Sequence, residues 1–299
     1  MNNTLIVILG PTGIGKTDLS IEIAQEFNTE IISSDSRQVY KELKIGTAVP
    51  TNEQLGKVKH HFIGNKSIYD YYNASMFEFE VLDTLKELFR KSNQVIMTGG
   101  SGMYINAVCD GIDELPTIDL KLRNDLTKKH EEEGVESLRL QLKMLDPISY
   151  EKIDLKNPKR ILKALEVTIQ TGKPYSSFLT ELKKERDFNI LKIGLQRERE
   201  ELYERINIRV DQMVKEGLIE EAKIYYKDRQ LNSLNTVGYK ELFECFEGKI
   251  TQEKAIELIK RNSRHYAKRQ ISWFSRDKEI VWFHPEKKEN MIEFIKSKL

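Results

Sequence analysis

The chain has 299 residues, and its 48 Lys or Arg against 47 Asp or Glu give a formal net charge of +1. With 39% hydrophobic and 32% charged residues, it can bury a sizeable core in one large domain or two small ones, and the composition excludes an intrinsically disordered protein. The N-terminal apolar run covers only residues 5–9, far short of the roughly 20 residues of a membrane span, so no membrane association is expected.

The start of the chain and its cysteines predict a cytoplasmic protein. No basic residue precedes the first apolar run and no small-residue cleavage site follows it, so a secretory signal is not expected. Cys109 and Cys245 lie far apart, which is typical of a reducing compartment and argues against a thiolate zinc site. At first sight the balanced net charge also argues against nucleic acid as a partner.

Short apolar runs alternate with helical patterns along most of the chain. The runs at 5–9, 30–33, 94–97, 190–195 and 280–283 predict strands, and the stretches 16–27, 76–91 and 199–215 predict helices. Near-continuous apolar runs are typical of parallel strands covered on both faces. The alternation therefore predicts an α/β protein with an open parallel sheet.

A helical segment interrupts this rhythm. Residues 120–130, 135–145 and 157–171 show helical periodicity without a strand between them, and four prolines at 116, 147, 158 and 174 suit loops or first helical turns. We therefore predict a first part of the core at 1–114, an all-helical insertion at 115–185, and completion of the core at 186–299. This last part ends with a long helix over 251–276, a short strand and a final helix.

A phosphate-binding loop follows the first predicted strand and opens the first predicted helix. It matches G-x-x-x-x-G-K-[ST] in full and consists of Gly10, Pro11, Thr12, Gly13, Ile14, Gly15, Lys16 and Thr17. In such loops backbone N–H groups and a helix N-terminus converge on phosphate oxygens, the lysine adds a positive charge, and the hydroxyl of Thr17 can bind Mg²⁺. The motif predicts a P-loop core and a di- or triphosphate ligand, without naming what carries the phosphates.

Nothing else in the sequence favours GTP or ATP hydrolysis. No Asn-Lys-x-Asp string is present, and no acidic residue follows the strand predicted at 94–97, where typical P-loop ATPases hold magnesium.

Two further loops are expected at the same edge of the sheet. Asp35 follows the second strand, where ligands of open α/β sheets collect, so it can accept a proton or hold Mg²⁺ through water; alternatively it caps a short helix starting near Ser36. Residues 99–104 read Gly-Gly-Ser-Gly-Met-Tyr, which indicates close approach of the backbone to a ligand. Ser101 is also a suitable N-cap, and both interpretations stay open.

The charges are segregated along the chain. Residues 258–276 contain six Lys or Arg and no acid, and residues 156–163 are also free of acids. Lys260, Arg264 and Lys268 recur every four residues, so they line one side of a helix. Two such patches beside a phosphate site favour contact with an RNA backbone, against the alternative of solvated cationic faces. Of the interleaved aromatics, Trp273 and Phe274 are expected to pack in the core. For Tyr266, stacking on bases and packing in the core both stay open.

Arg205 and Arg209 share one face of the helix after the fourth predicted strand. Either arginine can reach over the sheet edge to a diphosphate. The alternative is a weak surface ion pair with Glu201 or Glu204.

Taken together, these strings resemble the bacterial tRNA dimethylallyltransferases, also called tRNA isopentenyltransferases. The resemblance runs in order through residues 10–17, 34–40, 45–48, 60–61, 99–104, 160–161, 164–167, 205–210, 237–241 and 267–270. It departs from the family at Val49, where lysine is usual, and at Ser275, where arginine is usual.

The resemblance implies transfer of a dimethylallyl group from dimethylallyl diphosphate to N6 of the adenosine 3′-adjacent to the anticodon (adenosine-37), with release of diphosphate. In that reaction Asp35, Thr17 and Arg209 are the expected catalytic residues, with Asp35 taking the proton of the amine and Mg²⁺ on Thr17. The diphosphate site is the loop at 10–17, so an ATP-binding assignment rests on the motif alone. The expected tRNA-binding residues are Asp35, Ser36, Arg37, Gln38, Ser101, Arg123, Lys159, Arg160, Ile161, Leu162, Lys163, Lys268, Arg269 and Gln270. A monomer is expected.

Two other classes of function remain as alternatives. A P-loop kinase for a small molecule or nucleotide would use Asp35 on its acceptor, but it leaves the basic helix without a role. A nucleotide-switched RNA-binding protein would bind tRNA without group transfer.

Overall fold

In the computed structural model, which describes residues 3–117, 119–180 and 182–299, six parallel strands form a sheet in the order β3-β2-β4-β1-β5-β6. The strands are β1 (Thr4–Leu9), β2 (Ile31–Ser33), β3 (His60–His61), β4 (Gln94–Gly99), β5 (Asn189–Leu195) and β6 (Val281–Phe283). The predicted parallel α/β class is confirmed. The two-residue strand β3 was not predicted, because so short a strand leaves no periodic pattern.

The longer helices match the predicted periodic segments closely, and shorter helices that were not predicted lie between them. In chain order they are α1 (Lys16–Glu26), α2 (Asn52–Lys57), α3 (Ala74–Phe89), α4 (Gly102–Asp110), α5 (Leu120–Leu145), α6 (Pro147–Lys152), α7 (Pro158–Thr171), α8 (Arg199–Lys215), α9 (Leu218–Ile224), α10 (Tyr239–Phe246), α11 (Gln252–Phe274) and α12 (Lys288–Lys298). Single 3₁₀ turns lie at Tyr175–Phe178, Tyr226–Asp228 and Asn232–Leu234. Within the described ranges, no helix is long and apolar enough to cross a bilayer.

The order of the strands places a crevice at the carboxyl ends of β1 and β4. From β1 the chain crosses to β2 on one side of the sheet, whereas after β4 it continues to β5 on the other side. Connections that diverge in this way leave a crevice, where ligands of open α/β sheets bind. The side chains of β1 are fully buried along its length, so the strand is a rigid support for the loop that follows it.

The chain divides into two compact units. One comprises Met1–Asp110 with Glu185–Leu299, and the other is Gly111–Lys184; the sequence-based boundaries were 115 and 185. The second unit has its own core, in which the buried leucines of α5 meet Ile161 and Leu165 of α7. Helix α5 is interrupted at Gly134, whose φ of 79° is not helical, in agreement with the prediction of two helices there.

Candidate active site

The loop between β1 and α1 is shaped by glycines. Gly13 (φ 78°) and Gly15 (φ 104°) adopt the left-handed region that glycine enters without strain. Gly15 is the N-cap of α1, and among the described residues no side chain caps this helix. The first N–H groups of α1 are therefore available to an anion at the positive end of the helix. Pro11 and Ile14 are part of the same loop, and Pro11 has no N–H to offer a phosphate.

Lys16 folds back onto its own loop. Its Nζ donates to the carbonyl oxygens of Gly10 at 3.0 Å and Pro11 at 2.8 Å. Burial, together with the nearby Arg209 guanidinium, lowers the pKa of Lys16 to about 7, while Asp35 acts in the opposite direction. An anionic ligand at this loop would favour the ammonium form, so its binding would be linked to protonation of Lys16.

Helix α8 directs two arginines at the phosphate loop. Nε of Arg205 donates to the carbonyl oxygen of Gly13 at 3.0 Å, and Nη1 of Arg209 donates to Oγ1 of Thr12 at 3.2 Å. Within the described part of the chain, neither arginine forms an ion pair with Glu201 or with another glutamate. The surface ion-pair alternative is therefore wrong, and both side chains border the phosphate site.

Asp35 lies in the loop directly after β2. Its Oδ1 accepts hydrogen bonds from the backbone N–H groups of Arg37 at 2.8 Å and Gln38 at 3.3 Å. Residues 36–39 form turns rather than a short helix, so the carboxylate holds a turn as an N-cap would hold a helix. Its other oxygen, Oδ2, has no hydrogen-bond donor among the described residues. One carboxylate oxygen thus fixes the loop and the other remains free to accept a proton.

Ser101, in the loop after β4, fixes the loop of Asp35. Its Oγ accepts from the backbone N–H of Ser36 at 2.9 Å and donates to Oγ of Ser36 at 3.2 Å. Burial raises the pKa of Tyr266 of α11 to about 12. The hydroxyl of Ser101 therefore supports the loop of Asp35 instead of capping α4, and Tyr266 belongs to the wall of the site.

Two cavities meet at Asp35. The larger, about 1040 Å³, is lined by the phosphate loop, Asp35 and the arginines of α8. The smaller, about 460 Å³, is lined by Asp35, Arg37, residues 235–238 and part of α11, including Arg269. The residues common to both linings are Thr12, Asp35, Thr47, Arg209, Met213 and Tyr266. Asp35 is therefore accessible from a phosphate-binding side and from a second side bordered by the basic helix.

The loop at 43–48, part of the wall of the larger cavity, is held by buried side chains that the sequence did not reveal. The carboxylate of Glu221 accepts from the backbone N–H groups of Lys44, Ile45 and Gly46, each at 2.9 Å, and from the hydroxyl of Tyr239 at 2.6 Å. The only signal for this contact was the string at 237–241.

Gln38, predicted to bind tRNA, also supports this loop. Its Nε2 donates to the carbonyl oxygens of Thr47 and Ala48 at 3.1 and 3.0 Å, and its Oε1 accepts from Oγ of Ser33 at 3.3 Å. The amide is therefore engaged inside the protein. Ser36 and Arg37, by contrast, line the smaller cavity.

Within the helical unit, the predicted tRNA-binding residues fall into two groups. Lys159 and Arg160 lie in the first turn of α7, where Arg160 is exposed. Ile161 is fully buried in the core of the unit, and Leu162 packs against that core. The apolar stripe of an amphipathic helix faces the core. The expectation that the side chain of Ile161 contacts RNA is therefore wrong.

The two remaining cations of this unit are partly withdrawn from solvent. Arg123 makes a bidentate ion pair with Glu166, at 2.6 and 2.7 Å, and the carboxylate of Glu166 is almost wholly buried. Burial lowers the pKa of Lys163. Arg123 is thus held in place by Glu166, with its side chain still about one-third exposed.

Helix α11 has a basic exposed face. Lys268 and Arg269 are exposed, and the guanidinium of Arg269 lies 5.8 Å from the centre of the Tyr266 ring. Phe274 is buried as predicted, whereas Trp273 is 38% exposed and lies against Gly102. Gln270 is 6% exposed and hydrogen-bonds to the two phosphate-side loops rather than facing solvent.

The oxygen ligands that Mg²⁺ prefers are present in the larger cavity. The hydroxyl of Thr17 and the free carboxylate oxygen of Asp35 both belong to residues of its lining, and hard oxygen donors of this kind suit Mg²⁺. A separate group, Glu201, His284 and Glu286, has ligand spacing. Its carboxylates are already paired with Arg197, which disfavours a cation there.

Comparison with known proteins identifies similar chains over nearly the full length. The family model described as IPP transferase matches residues 38–277. A tRNA dimethylallyltransferase 1 of Bacteroides fragilis is 55% identical over 296 residues, covering 99% of this chain and 98% of that protein. A tRNA dimethylallyltransferase of Christiangramia forsetii is 51% identical over 300 residues, covering 100% and 99%.

Two solved structures share this fold. The tRNA isopentenylpyrophosphate transferase of Bacillus halodurans is 36% identical, with a TM-score of 0.73 and coverage of 99% of this chain and 96% of that one. A eukaryotic dimethylallyltransferase described as acting on tRNA is 27% identical, with a TM-score of 0.79 and coverage of 95% and 74%.

Proposed function

Since the chain belongs to the IPP transferase family, we propose that it transfers the dimethylallyl group of dimethylallyl diphosphate to N6 of adenosine-37, next to the anticodon of a tRNA. The observation that carries the proposal is the place of Asp35. Asp35 lines both the cavity of the phosphate loop and the cavity bordered by α11, and one of its carboxylate oxygens has no hydrogen-bond donor among the described residues. This arrangement suits a reaction between an anionic small molecule and a base from a nucleic acid.

On the phosphate side, the protein stabilises the leaving group. As the bond between C1 of the allyl group and the diphosphate oxygen breaks, negative charge develops on the diphosphate. The place where that charge develops is bordered by the amides at the start of α1 and by the side chains of Lys16, Arg205 and Arg209. Donors positioned in advance in this way stabilise a transition state without reorganisation.

On the other side, Asp35 prepares the nucleophile. The exocyclic amine of adenine is weakly nucleophilic because its lone pair is delocalised into the ring. Oδ2 of Asp35 accepts a hydrogen bond from N6 and takes its proton as the new C1–N6 bond forms. Because Oδ1 is held by two backbone N–H groups, the base is oriented before substrate arrives.

A magnesium ion fits the oxygen donors of this site. Thr17 would bind it through its hydroxyl. When bound, the ion supplies additional positive charge to the leaving diphosphate.

The target base reaches Asp35 only after leaving the anticodon stack, so extrusion of adenosine-37 accompanies binding. Lys268 and Arg269 are exposed on α11, which borders the smaller cavity, and are placed to contact phosphates. In the helical unit, Lys159 and Arg160 offer a second cationic surface. The proposal includes a monomer that acts in the cytoplasm.

The decisive experiment combines the protein, Mg²⁺, dimethylallyl diphosphate and unmodified tRNA, followed by mass spectrometry of the nucleosides. We expect isopentenyl adenosine; its absence, while a known transferase succeeds in parallel, refutes the proposal. A second reaction with ATP and candidate acceptors tests the kinase alternative, which predicts transfer of the γ-phosphate without tRNA. Nucleotide-dependent tRNA binding without modified adenosine would instead indicate an RNA-binding protein.

A further inference from the structure

Helix α11 presents two chemically different faces at residues 268–270. Lys268 and Arg269 are exposed, whereas Gln270 is 6% exposed. Successive helical residues are rotated by about 100°, so neighbours in the sequence point to different surroundings. A contiguous string of residues therefore need not share one ligand.

Both polar atoms of the Gln270 side chain bind backbone groups of different loops. Oε1 accepts a hydrogen bond from the N–H of Thr12 at 2.9 Å, and Nε2 donates to the carbonyl oxygen of Gly100 at 2.8 Å. Only this orientation of the amide pairs a donor with an acceptor at each end. One side chain thus joins the phosphate loop after β1 to the glycine loop after β4.

The glycine loop is shaped to admit this side chain. A Cβ atom on Gly100 would lie 2.3 Å from Nε2 of Gln270, far inside van der Waals contact. Ser101, the next residue, holds the loop of Asp35 by accepting a hydrogen bond from the N–H of Ser36 at 2.9 Å. Through Gln270, the inner face of α11 consequently supports the phosphate loop and the glycine loop, and Ser101 of the glycine loop in turn holds the loop of Asp35.

We propose that Gln270 is a positioning residue for the diphosphate site, and that it does not bind tRNA. The proposal deepens the proposed function and rests on it for the identity of the diphosphate. Gln270 holds the Thr12 N–H and thereby the curvature of the loop whose following N–H groups face the phosphates. The adjacent Lys268 and Arg269 bind RNA from the exposed side of the same helical turn.

The test separates the two ligands in the full-length protein. Gln270→Met keeps the volume of the side chain and removes both hydrogen bonds. We expect the Kd for inorganic pyrophosphate, measured calorimetrically with Mg²⁺, and the KM for dimethylallyl diphosphate to rise at least about 10-fold. The Kd for labelled unmodified tRNA should stay within about twofold, with an unchanged salt slope. Lys268→Ala should show the reverse pattern.

A second variant approaches the same contact from the other loop. Gly100→Ala is expected to displace the amide of Gln270 and to weaken pyrophosphate binding similarly, and it replaces Gln270→Met if that protein does not fold. Because both changes break the same contact, the double variant should lose little more pyrophosphate affinity than either single variant. Gly56→Ala, where a Cβ meets nothing within 4 Å, is the matched control and should leave both affinities unchanged.

Three results overturn the proposal: weakened tRNA binding with a shallower salt slope in Gln270→Met, unchanged pyrophosphate affinity in that variant, or fully additive losses in the double variant. Pyrophosphate binding requires no turnover. A wild-type protein that makes no isopentenyl adenosine would therefore refute the proposed function, while the pyrophosphate and tRNA affinities still decide the role of Gln270.

Discussion

Replacing Asp35 with asparagine separates the chemical role of this residue from its structural one. The amide oxygen of asparagine can still accept hydrogen bonds from the N–H groups of Arg37 and Gln38, which Oδ1 accepts in the native protein. The variant therefore keeps the turn and loses the proton acceptor. Since general base catalysis typically contributes about 10²–10⁴-fold, we expect kcat to fall by that factor, with tRNA affinity within about twofold of the wild type.

The charge of Asp35 also acts on the phosphate side, and this determines the conditions of the assay. Asp35 raises the pKa of Lys16, which burial and Arg209 lower to about 7. In Asp35→Asn the pKa of Lys16 falls further, so a measurement above pH 7 would mix loss of the base with loss of the lysine charge. Single-turnover rates with saturating tRNA and dimethylallyl diphosphate are therefore best measured near pH 6.

Asp35→Ala is the companion variant, because it removes the turn acceptor as well as the base. We expect it to be at least as slow as Asp35→Asn and less stable, since two N–H groups lose their acceptor. Refutation would be a kcat of Asp35→Asn within about tenfold of the wild type at pH 6. A loss of tRNA binding as large as the loss of turnover would also contradict the assignment of Asp35 as the base.

Three more predictions concern the diphosphate, the tRNA and the loop at 43–48. The pKa of Lys16 is about 7 without ligand, and a bound anion raises it. Pyrophosphate affinity measured by calorimetry should therefore be highest below pH 7 and fall by up to about tenfold per pH unit above it. Lys16→Met should bind pyrophosphate more weakly and should lack this part of the pH dependence. Lys268→Ala or Arg269→Ala should reduce the slope of log Kd for tRNA against log salt concentration by about 0.7–0.9. An unchanged slope would mean that these cations are solvated and do not contact the RNA. Tyr239→Phe removes the hydroxyl that is bonded to Glu221. In urea titrations it should lower the free energy of unfolding by about 1.5–3 kcal/mol. A change below about 0.5 kcal/mol, which is the size of an ordinary surface substitution, would show that this bond contributes little.

The net charge of +1 first argued against nucleic acid, and the structure shows why an average is a poor guide. Lys268 and Arg269 are exposed on one face of α11, while other cations are paired inside the main unit. Lys192, for example, is bonded to Asp277 and Glu279, which raise its pKa against the effect of burial. Binding depends on where the accessible cations lie rather than on their sum.

The sequence by itself determined the longer elements and the phosphate loop. The periodic patterns of β1, α1, α3 and α8 reproduce the observed elements within about two residues, because runs of this length carry a clear periodicity. The phosphate loop was predictable because its residues are contiguous and its glycines have a local backbone reason to be there. Asp35 was predictable as a site residue because it follows a strand at the ligand-binding edge of the sheet.

Only the tertiary structure decided which side chains support the site. Gln270 meets Thr12, Glu221 meets the backbone of Gly46, and Arg205 meets Gly13, and each pair lies far apart in the sequence. Such contacts leave no periodic or local pattern, because each depends on how the helices pack on the sheet. For the same reason, the family resemblance placed Lys268, Arg269 and Gln270 in one RNA-binding string. The fold separates them. Gln270 lies on the buried face of α11 and bonds the backbone of two loops, whereas Lys268 and Arg269 lie on the exposed face.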